Sequence, residues 1–367
     1  MSRGSATARC SVRNVNGRKI AVRGVLLLAG FGLASFVLAR AFKGFELSAV
    51  VDAIGELALT DVLSLLGVLF VLLVAQAYLS AAFVPGLSVF HGGLAWLGSN
   101  AVASVIPGPS DIPLRYKMFR SWGQPTADAA TASAGATVTN IGTKLILPGF
   151  AAVGIAIGDF DFGDITSIVV SAAIISAALF ITLAYFFGTP ERTVLLGDRL
   201  ERLWARVRRR PPSEPGRLES GLVAQRTRTI SLVRRAWKQI LIGSIAVTVI
   251  QAGLFVMCIR AVGVPGSAVS TLALFCVFAL VRGVTVIPTM PGDAGLSELA
   301  FVSLVTRVSG SATVNAVTAG VLLYRLLTWI LLIPIGWAAI LVWRWTLRRG
   351  HVLEAELETE PDPAVVE

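Results

Sequence analysis

Long apolar runs separated by short polar stretches form the dominant pattern of this chain. A helix of about 20 apolar residues crosses the roughly 30 Å hydrocarbon core of a bilayer. Runs that reach or approach this length predict transmembrane helices at 22–41, 61–84, 126–157, 165–187, 239–261 and 311–345. The pattern therefore predicts an all-α, polytopic integral membrane helical bundle.

Two proline-centred breaks interrupt the other apolar segments. Val-Ile-Pro-Gly at 105–108 precedes a polar and basic stretch, and Val-Ile-Pro at 286–288 precedes a second polar stretch and a short predicted helix at 295–308. The residue before a proline is disfavoured in a helix. Non-helical backbone at membrane depth is tolerated only where protein buries it or a wet cavity meets it. Paired breaks in two halves of a chain point to the central site of a transporter.

The distribution of charge predicts how the helices cross the membrane. Basic residues cluster before the first run, within 188–238 and after the last run, and cytoplasmic loops carry such an excess of Lys and Arg. The acidic turn at 159–164 is then expected outside. These constraints agree only if 92–124 re-enters from the cytoplasm and 267–310 re-enters from outside, which is an inverted arrangement of two related halves.

This topology divides the chain into five regions. They are a basic cytoplasmic tail (1–20), an N-terminal membrane half (21–187), a basic cytoplasmic loop (188–238), a C-terminal membrane half (239–346) and an acidic, disordered tail (347–367). The amphipathic stretch 45–58 is predicted to lie on the membrane surface. Ala39-Arg40-Ala41 has the small residues of a signal-peptide cleavage site, but its arginine and the long apolar run favour an uncleaved first helix. Both termini are expected in the cytoplasm, and the expected location is the plasma membrane.

Composition supports a membrane protein and limits the meaning of the charge. The 367 residues are 55% hydrophobic and 15% charged, with a mean hydropathy of +0.75, whereas a soluble domain carries about 25% charged residues. The net charge of +10 lies in basic stretches between apolar runs, so no nucleic-acid partner is expected. The arginine-rich stretch 206–210 is instead expected to set topology and to contact anionic lipid head groups.

Charged residues within or beside the apolar segments are the candidates for a substrate site. Such residues are costly in a membrane and are functional hypotheses by default. They are Lys144, Arg282, Glu298 and Arg325 within the segments, and Asp111, Arg115 and Asp293 beside the breaks. The backbone at Pro291, Gly292 and Gly295 is also expected to present N–H groups to an anion where the short helix begins.

The arginines and the glutamate each have a structural alternative. Arg282 and Arg325 are predicted to hold a lipid phosphate, because guanidinium groups bind phosphate in bidentate fashion. One of them would instead pair statically with Glu298. Glu298 is then either a counter-charge that switches during transport, or a fixed cap or ion-pair partner.

The remaining candidates are also open to two interpretations. Lys144 either joins the site or serves a structural role, by snorkelling or by pairing with Asp111. Asp111 and Arg115 are four residues apart and would pair along a helix, but Pro113 between them makes a loop an equal alternative. Asp293 is either a site residue or a turn residue.

Catalytic, cofactor-binding or metal-binding motifs are not recognisable in the sequence. His91 and His351 are far apart and have no ligand-spaced partners, and the three cysteines indicate no disulfide framework. No Walker A or GxGxxG stretch occurs. We therefore expect no enzymatic activity, no cofactor and no metal site.

Three motifs carry a family resemblance. Residues 291–298 read Pro-Gly-Asp-Ala-Gly-Leu-Ser-Glu, Asn100 is followed by Ile-Pro-Gly at 106–108 and by Arg115, and residues 324–326 read Tyr-Arg-Leu. The first is similar to a PGGxGxxE-type signature of the lysylphosphatidylglycerol synthase transmembrane-region family, whose members are also called flippase-like domain proteins. The other two resemble the first-half motif and the last-helix arginine of that family. The resemblance covers about residues 20–345 and implies the translocase-like membrane part without the soluble aminoacyl-transferase domain.

These observations predict a lipid translocator, of the flippase or scramblase kind, that moves an anionic or phosphate-linked lipid between leaflets. The alternative is a non-catalytic scaffold or regulatory subunit of an envelope-lipid or glycolipid biosynthetic enzyme, which would depend on the basic loop more than on the buried charges. A lipid-modifying membrane enzyme is a third hypothesis. The expected partners are the lipid substrate and either a second copy of the chain or a biosynthetic enzyme.

Overall fold

The structure, a computed structural model, describes residues 55, 57–106, 110–158, 165–188, 217–286, 293 and 295–359. Within these ranges every regular element is helical, which confirms the predicted all-α class. The α-helices are α1 (Leu59–Ala82), α2 (Val89–Val105), α3 (Asp111–Ser121), α4 (Thr126–Gly158), α5 (Ile165–Gly188), α6 (Arg217–Ala261), α7 (Thr271–Val284), α8 (Leu296–Ser309), α9 (Val314–Arg325) and α10 (Leu332–Thr359). A 3-10 turn at Ser311–Thr313 precedes α9, and a π-helix at Leu326–Ile330 joins α9 to α10.

Four stretches of the described residues are long and apolar enough to cross a membrane. They are Leu59–Ala82, Thr126–Gly158, Arg234–Ala261 and Val314–Leu347. Each coincides with a predicted run to within a few residues, so the chain is a polytopic membrane protein. The predicted span at 22–41, most of the stretch 45–58 and the acidic turn at 159–164 lie outside the described residues.

Both predicted breaks separate two helices that pack against each other. The first break lies between α2 and α3, and the second lies between α7 and α8. We call these pairs the first and second helical hairpins. The prolines at the breaks, Pro107 and Pro288, are outside the described residues. The entry of each hairpin from one side of the membrane stays a prediction.

The two hairpins begin in the same way. Pro85-Gly86 precedes α2 and Pro265-Gly266 precedes α7. Ser88 and Ser270 then cap these helices, each accepting a hydrogen bond from the backbone N–H three residues later. A serine in this position satisfies one of the amides that the first turn leaves without a partner. The local sequence thus starts both hairpins with the same device.

Packing between the halves is reciprocal. The helices that precede the hairpins, α1 and α6, pack against each other. The first helix of the second hairpin, α7, packs against α4, which follows the first hairpin. In return α2, the first helix of the first hairpin, packs against α10, which follows the second hairpin. Two related halves are expected to make such contacts, although their inverted orientation is still a prediction.

Glycine permits the closest of these approaches. A side chain at Gly283 of α7 would overlap Pro148 of α4, and one at Gly336 of α10 would overlap Leu97 and Ala101 of α2. Small residues at helix interfaces let backbones approach closely in membranes. The two reciprocal contacts are therefore both built on a glycine facing the partner helix.

Two helices are longer than the apolar pattern predicts. α6 begins at Arg217, within the predicted loop 188–238, and α10 continues to Thr359, into the segment predicted to be disordered. Apolar periodicity marks where a helix is buried or lipid-facing, whereas a polar extension of the same helix lacks that signal. The arginine-rich stretch 206–210 lies outside the described residues.

Candidate functional site

A cavity of about 510 Å³ lies among the helices and receives side chains from both hairpins. This volume falls within the range of about 300–1,000 Å³ that is usual for ligand sites. Its charged lining residues are Asp111, Arg115, Lys144, Arg282, Asp293 and Arg325. Glu298 is buried next to these lining residues and contacts one of them, Arg325. The structure therefore brings all seven charged candidates into one region.

Glu298 is held by three groups at the start of α8. Arg325 Nε donates a hydrogen bond to Glu298 Oε1 over 2.5 Å, and the backbone N–H of Gly295 donates to Oε2 over 2.7 Å. The Ser297 hydroxyl lies 3.0 Å from the same Oε2. Glu298 is 2% exposed, so its charge is balanced by these contacts. It is at once the helix cap and the ion-pair partner that the structural alternative describes.

This arrangement changes the interpretation of the glycine-containing turn. Gly295 has φ +83°, a left-handed conformation that glycine adopts without steric cost. Its N–H binds Glu298 and is therefore not available to an external anion, contrary to the expectation from the sequence. Pro291 and Gly292 lie outside the described residues, so their predicted role as anion-binding backbone stays a prediction.

Arg325 sits at the point where α9 becomes the π-helix. Its guanidinium lies 4.7 Å from the ring centroid of Trp329, a distance at which a cation and an aromatic face attract each other. The Leu331 N–H bonds to the Leu326 carbonyl, five residues back. Pro334 follows closely and cannot donate a backbone hydrogen bond. Single-turn π-helices are frequent at functional sites, and this one orients Arg325 and Trp329 along the cavity.

Lys144 connects α4 to both ends of the second break. Its Nζ donates to the Thr285 carbonyl over 2.7 Å and lies 3.9 Å from Asp293 Oδ2. Asp293 has φ +56°, the left-handed region that non-glycine residues seldom adopt. The predicted pairing of Lys144 with Asp111 is therefore not what the structure shows. No local pattern could have indicated this contact, because 141 positions separate Lys144 from Thr285.

Asp111 and Arg115 form the predicted pair along α3. Arg115 Nη2 donates to Asp111 Oδ2 over 2.9 Å, and the buried guanidinium also lies within 3.4 Å of Ser99 Oγ on α2. Pro113 does not prevent the helix, because it lies in the first turn, where a backbone N–H has no helical acceptor. Asp111 at the N-terminus of α3 also suits the helix dipole. The helical alternative is thus the correct one.

Arg282 differs from the other cations of the cavity. It lies in the last turn of α7 and is half-buried, and the helix dipole favours a cation there. Arg115, Lys144 and Arg325 each have a carboxylate within 4.0 Å. Within the described ranges, the guanidinium of Arg282 has neither an ion-pair nor a hydrogen-bond partner. The cavity therefore carries one more cation than the surrounding carboxylates neutralise.

Four aromatic rings pack beside the charged residues of the cavity. Phe255, Phe278, Phe301 and Tyr324 come from α6, α7, α8 and α9, with ring centroids 4.6–6.4 Å apart. The last three also line the cavity. Aromatic pairs at such distances stabilise their contact beyond the area that they bury. The cluster thus holds the helices that carry Arg282, Glu298 and Arg325.

Uncharged amides on the other helices were not among the predicted site residues. Gln76, Asn100, Asn140 and Gln251 extend from α1, α2, α4 and α6 into the cavity lining. In the sequence, Asn100 stands out only as part of the first-half motif. Amides inside apolar runs are a usable signal, because polar groups in a membrane are expensive and face the bundle interior. Among the described residues no group of His, Cys, Asp or Glu could hold a metal ion.

Comparison with known proteins agrees with the motifs. The family model described as the lysylphosphatidylglycerol synthase TM region matches residues 27–336, which is most of the chain. No curated protein matches the chain. The matched range includes both hairpins and every charged residue of the cavity. The chain thus belongs to the lysylphosphatidylglycerol synthase transmembrane-region family, a group of membrane domains tied to lipid handling.

Proposed function

We propose that this protein moves an anionic or phosphate-linked lipid between membrane leaflets and does so without catalysing a reaction. The observation that carries the proposal is the surplus cation in the cavity. Among the described residues, Arg282 lines the cavity with no carboxylate within 4.0 Å, and Lys144 has only Asp293, at 3.9 Å. A phosphate would complete the coordination of both groups, since Arg and Lys are the usual phosphate-binding side chains.

The two short ion pairs of the cavity suit a structural role. Arg325 is held by Glu298, and Arg115 by Asp111, so these charges shape the wall. Arg282 can turn its donors toward a phosphate without first breaking an ion pair. The lining also contains apolar side chains such as Leu72, Leu147 and Val247, which suit the part of a lipid next to its head group.

Lipid movement in proteoliposomes tests the proposal. Purified chain would be reconstituted with fluorescent phosphatidylglycerol, and the fraction of label that becomes accessible to an outside reductant would be followed over time. Arg282→Gln should slow exchange roughly tenfold or more, because a hydrogen bond to a charged group contributes about 1.5–3 kcal/mol. The matched control is Arg307→Gln, since Arg307 is an exposed arginine at the end of α8.

Two results would count against the proposal. One is unchanged exchange in Arg282→Gln while size-exclusion profiles show a folded protein. The other is equal loss in both variants, which would indicate a general effect of charge. Loss of function on neutralising the exposed Arg228, Arg234, Arg235 and Lys238 of α6, with the cavity variants active, would favour the scaffold alternative.

A further inference from the structure

The charges around the empty cavity do not balance. Among the described residues its cations are Arg115, Lys144, Arg282 and Arg325, and the carboxylates on it or next to it are Asp111, Asp293 and Glu298. The parts of the two breaks outside the described residues, 107–109, 287–292 and 294, contain no charged residue. The breaks themselves therefore supply no further carboxylate. Four cations against three carboxylates leave one positive charge on the empty cavity.

This surplus charge lies between α4 and α7. Asp111 and Glu298 are each held in a short ion pair with an arginine. Asp293 lies 3.9 Å from Lys144, and its carboxylate accepts no hydrogen bond among the described residues. Lys144 and Arg282 are close enough to repel each other. These two cations thus share a single carboxylate, which is only loosely held.

An unbalanced charge opposes closure of the empty cavity. A carrier with a central site works by moving its halves around that site, which is open to each side of the membrane in turn. Closure between these states expels water. The surplus cation would then face only protein, including apolar and aromatic lining groups such as Phe278 and Phe301. Burying an unpaired charge is costly, so the empty cavity should close rarely.

A bound anion removes this cost, because one negative charge between Arg282 and Lys144 balances the cavity. We infer that the cavity changes sides only while it holds an oxyanion, so that the protein exchanges one anion for another across the membrane. The returning anion is a second phosphate-bearing head group or free inorganic phosphate, since both present charged oxygens to the guanidinium and ammonium groups. This inference rests on the proposed function, because it describes how the same site completes a transport cycle.

Outward movement of a labelled lipid against different outside anions tests the inference. The full chain would be reconstituted in vesicles of uncharged digalactosyldiacylglycerol, which has no phosphate, with a trace of short-chain fluorescent phosphatidylglycerol in a low-salt sucrose medium. Albumin added outside extracts the labelled lipid that reaches the outer leaflet. The outer side would carry no added anion, unlabelled long-chain phosphatidylglycerol in the leaflet, or inorganic phosphate in the medium.

An outside anion should accelerate outward movement at least about tenfold, because an unpaired buried charge raises a barrier by more than the free energy of a tenfold rate change. A carrier that returns empty would be unaffected or slowed, since the unlabelled anion competes for its site. Acceleration by unlabelled lipid alone supports exchange of lipid for lipid. Acceleration by inorganic phosphate as well supports exchange in which a free anion also returns.

A carboxylate supplied by the protein should remove the need for the outside anion. Thr285 lines the cavity three residues after Arg282, and its backbone carbonyl binds Lys144. Residues three apart on a helix are neighbours. Thr285→Asp therefore places a carboxylate beside both cations, and its rates with and without the outside anion should become similar. Thr285→Asn has nearly the same shape without the charge, so it is the matched control and should retain the acceleration.

The outcomes separate this inference from the proposed function. Equal outward movement by the wild type with and without an outside anion would overturn the inference and leave the proposed function standing. No movement under any of the three conditions would reject the proposed function, and the inference with it. Unfolding temperatures show whether the variants are folded. Acceleration that persists in folded Thr285→Asp, or that is lost equally in Thr285→Asn, would overturn the assignment to the surplus cation. If Thr285→Asp does not fold, the wild-type comparison decides the inference by itself.

Discussion

Arg282 and Arg325 look alike in the sequence, since each is a single arginine within an apolar segment. Their environments differ because Glu298, within the described residues, forms an ion pair with Arg325 and not with Arg282. The glutamate lies at the third position of α8, where its carboxylate caps the helix and suits the dipole. Arg325 is thus the partner of a buried carboxylate, and Arg282 is the residue that we propose for substrate binding.

This difference predicts that the two arginines contribute unequally to stability. Arg325→Gln leaves the carboxylate of Glu298 buried without its cation, and removing one partner of a buried pair costs about 3–5 kcal/mol. Arg282→Gln removes a cation that has no carboxylate partner in the described structure, so its stability should stay close to that of the wild type. Thermal unfolding in mild detergent measures both.

Equal unfolding temperatures for the two variants would contradict this assignment. Glu298→Gln offers a further check, because the amide keeps the shape of the side chain but loses the charge. In the double variant Glu298→Gln/Arg325→Gln, the two losses should be less than additive, since the residues form one interaction.

At the scale of elements, glycine decides how closely α1 and α2 approach. A side-chain carbon at Gly92 would lie 2.5 Å from the Ala77 carbonyl oxygen and 2.8 Å from the Ala81 nitrogen. Both are backbone atoms of α1, so no side-chain rotation can relieve the overlap. The helices themselves would have to separate.

Gly92→Ala should therefore destabilise the protein, by about 1–3 kcal/mol as overpacking commonly does. Gly67→Ala is the matched control in α1, because a carbon added there meets nothing within 4 Å. The control should be neutral or slightly stabilising, since alanine favours a helix over glycine by up to about 1 kcal/mol. Denaturation curves of the two variants compare them directly, and similar curves would show that the α1–α2 distance is not critical.

For the whole molecule, the reciprocal contacts α4–α7 and α2–α10 are those expected of two related halves, which the predicted topology inverts relative to each other. The charge distribution predicts that Thr126, at the start of α4, lies in the cytoplasm and that Ala312, before α9, lies outside. Both residues are exposed. The native Cys258 and Cys276 are buried. A cysteine introduced at position 126 or 312 can therefore be labelled selectively once Cys10 is replaced by serine.

A membrane-impermeant maleimide should label Ala312→Cys on intact cells, and Thr126→Cys only on inside-out vesicles. This result would follow from hairpins that enter from opposite sides of the membrane, as inverted halves require. Labelling of both positions from the same side would reject that arrangement. The reciprocal packing would then need another origin.

The sequence by itself determined the helical membrane class, the positions of the breaks and the family. Length and hydropathy of a run are local properties, and so are the prolines that end a helix. The pairing of Asp111 with Arg115 could also be anticipated, because it depends only on a spacing of four residues.

Only the tertiary structure decided which arginine Glu298 binds, that Lys144 reaches Thr285 and Asp293, and that Gln76 and Gln251 face the same cavity as Arg282. These contacts join residues far apart in the chain. They depend on the distances and rotations of packed helices, which apolar periodicity does not specify. The sequence indicates that polar groups must face the interior, but the packing of both halves determines which of them meet.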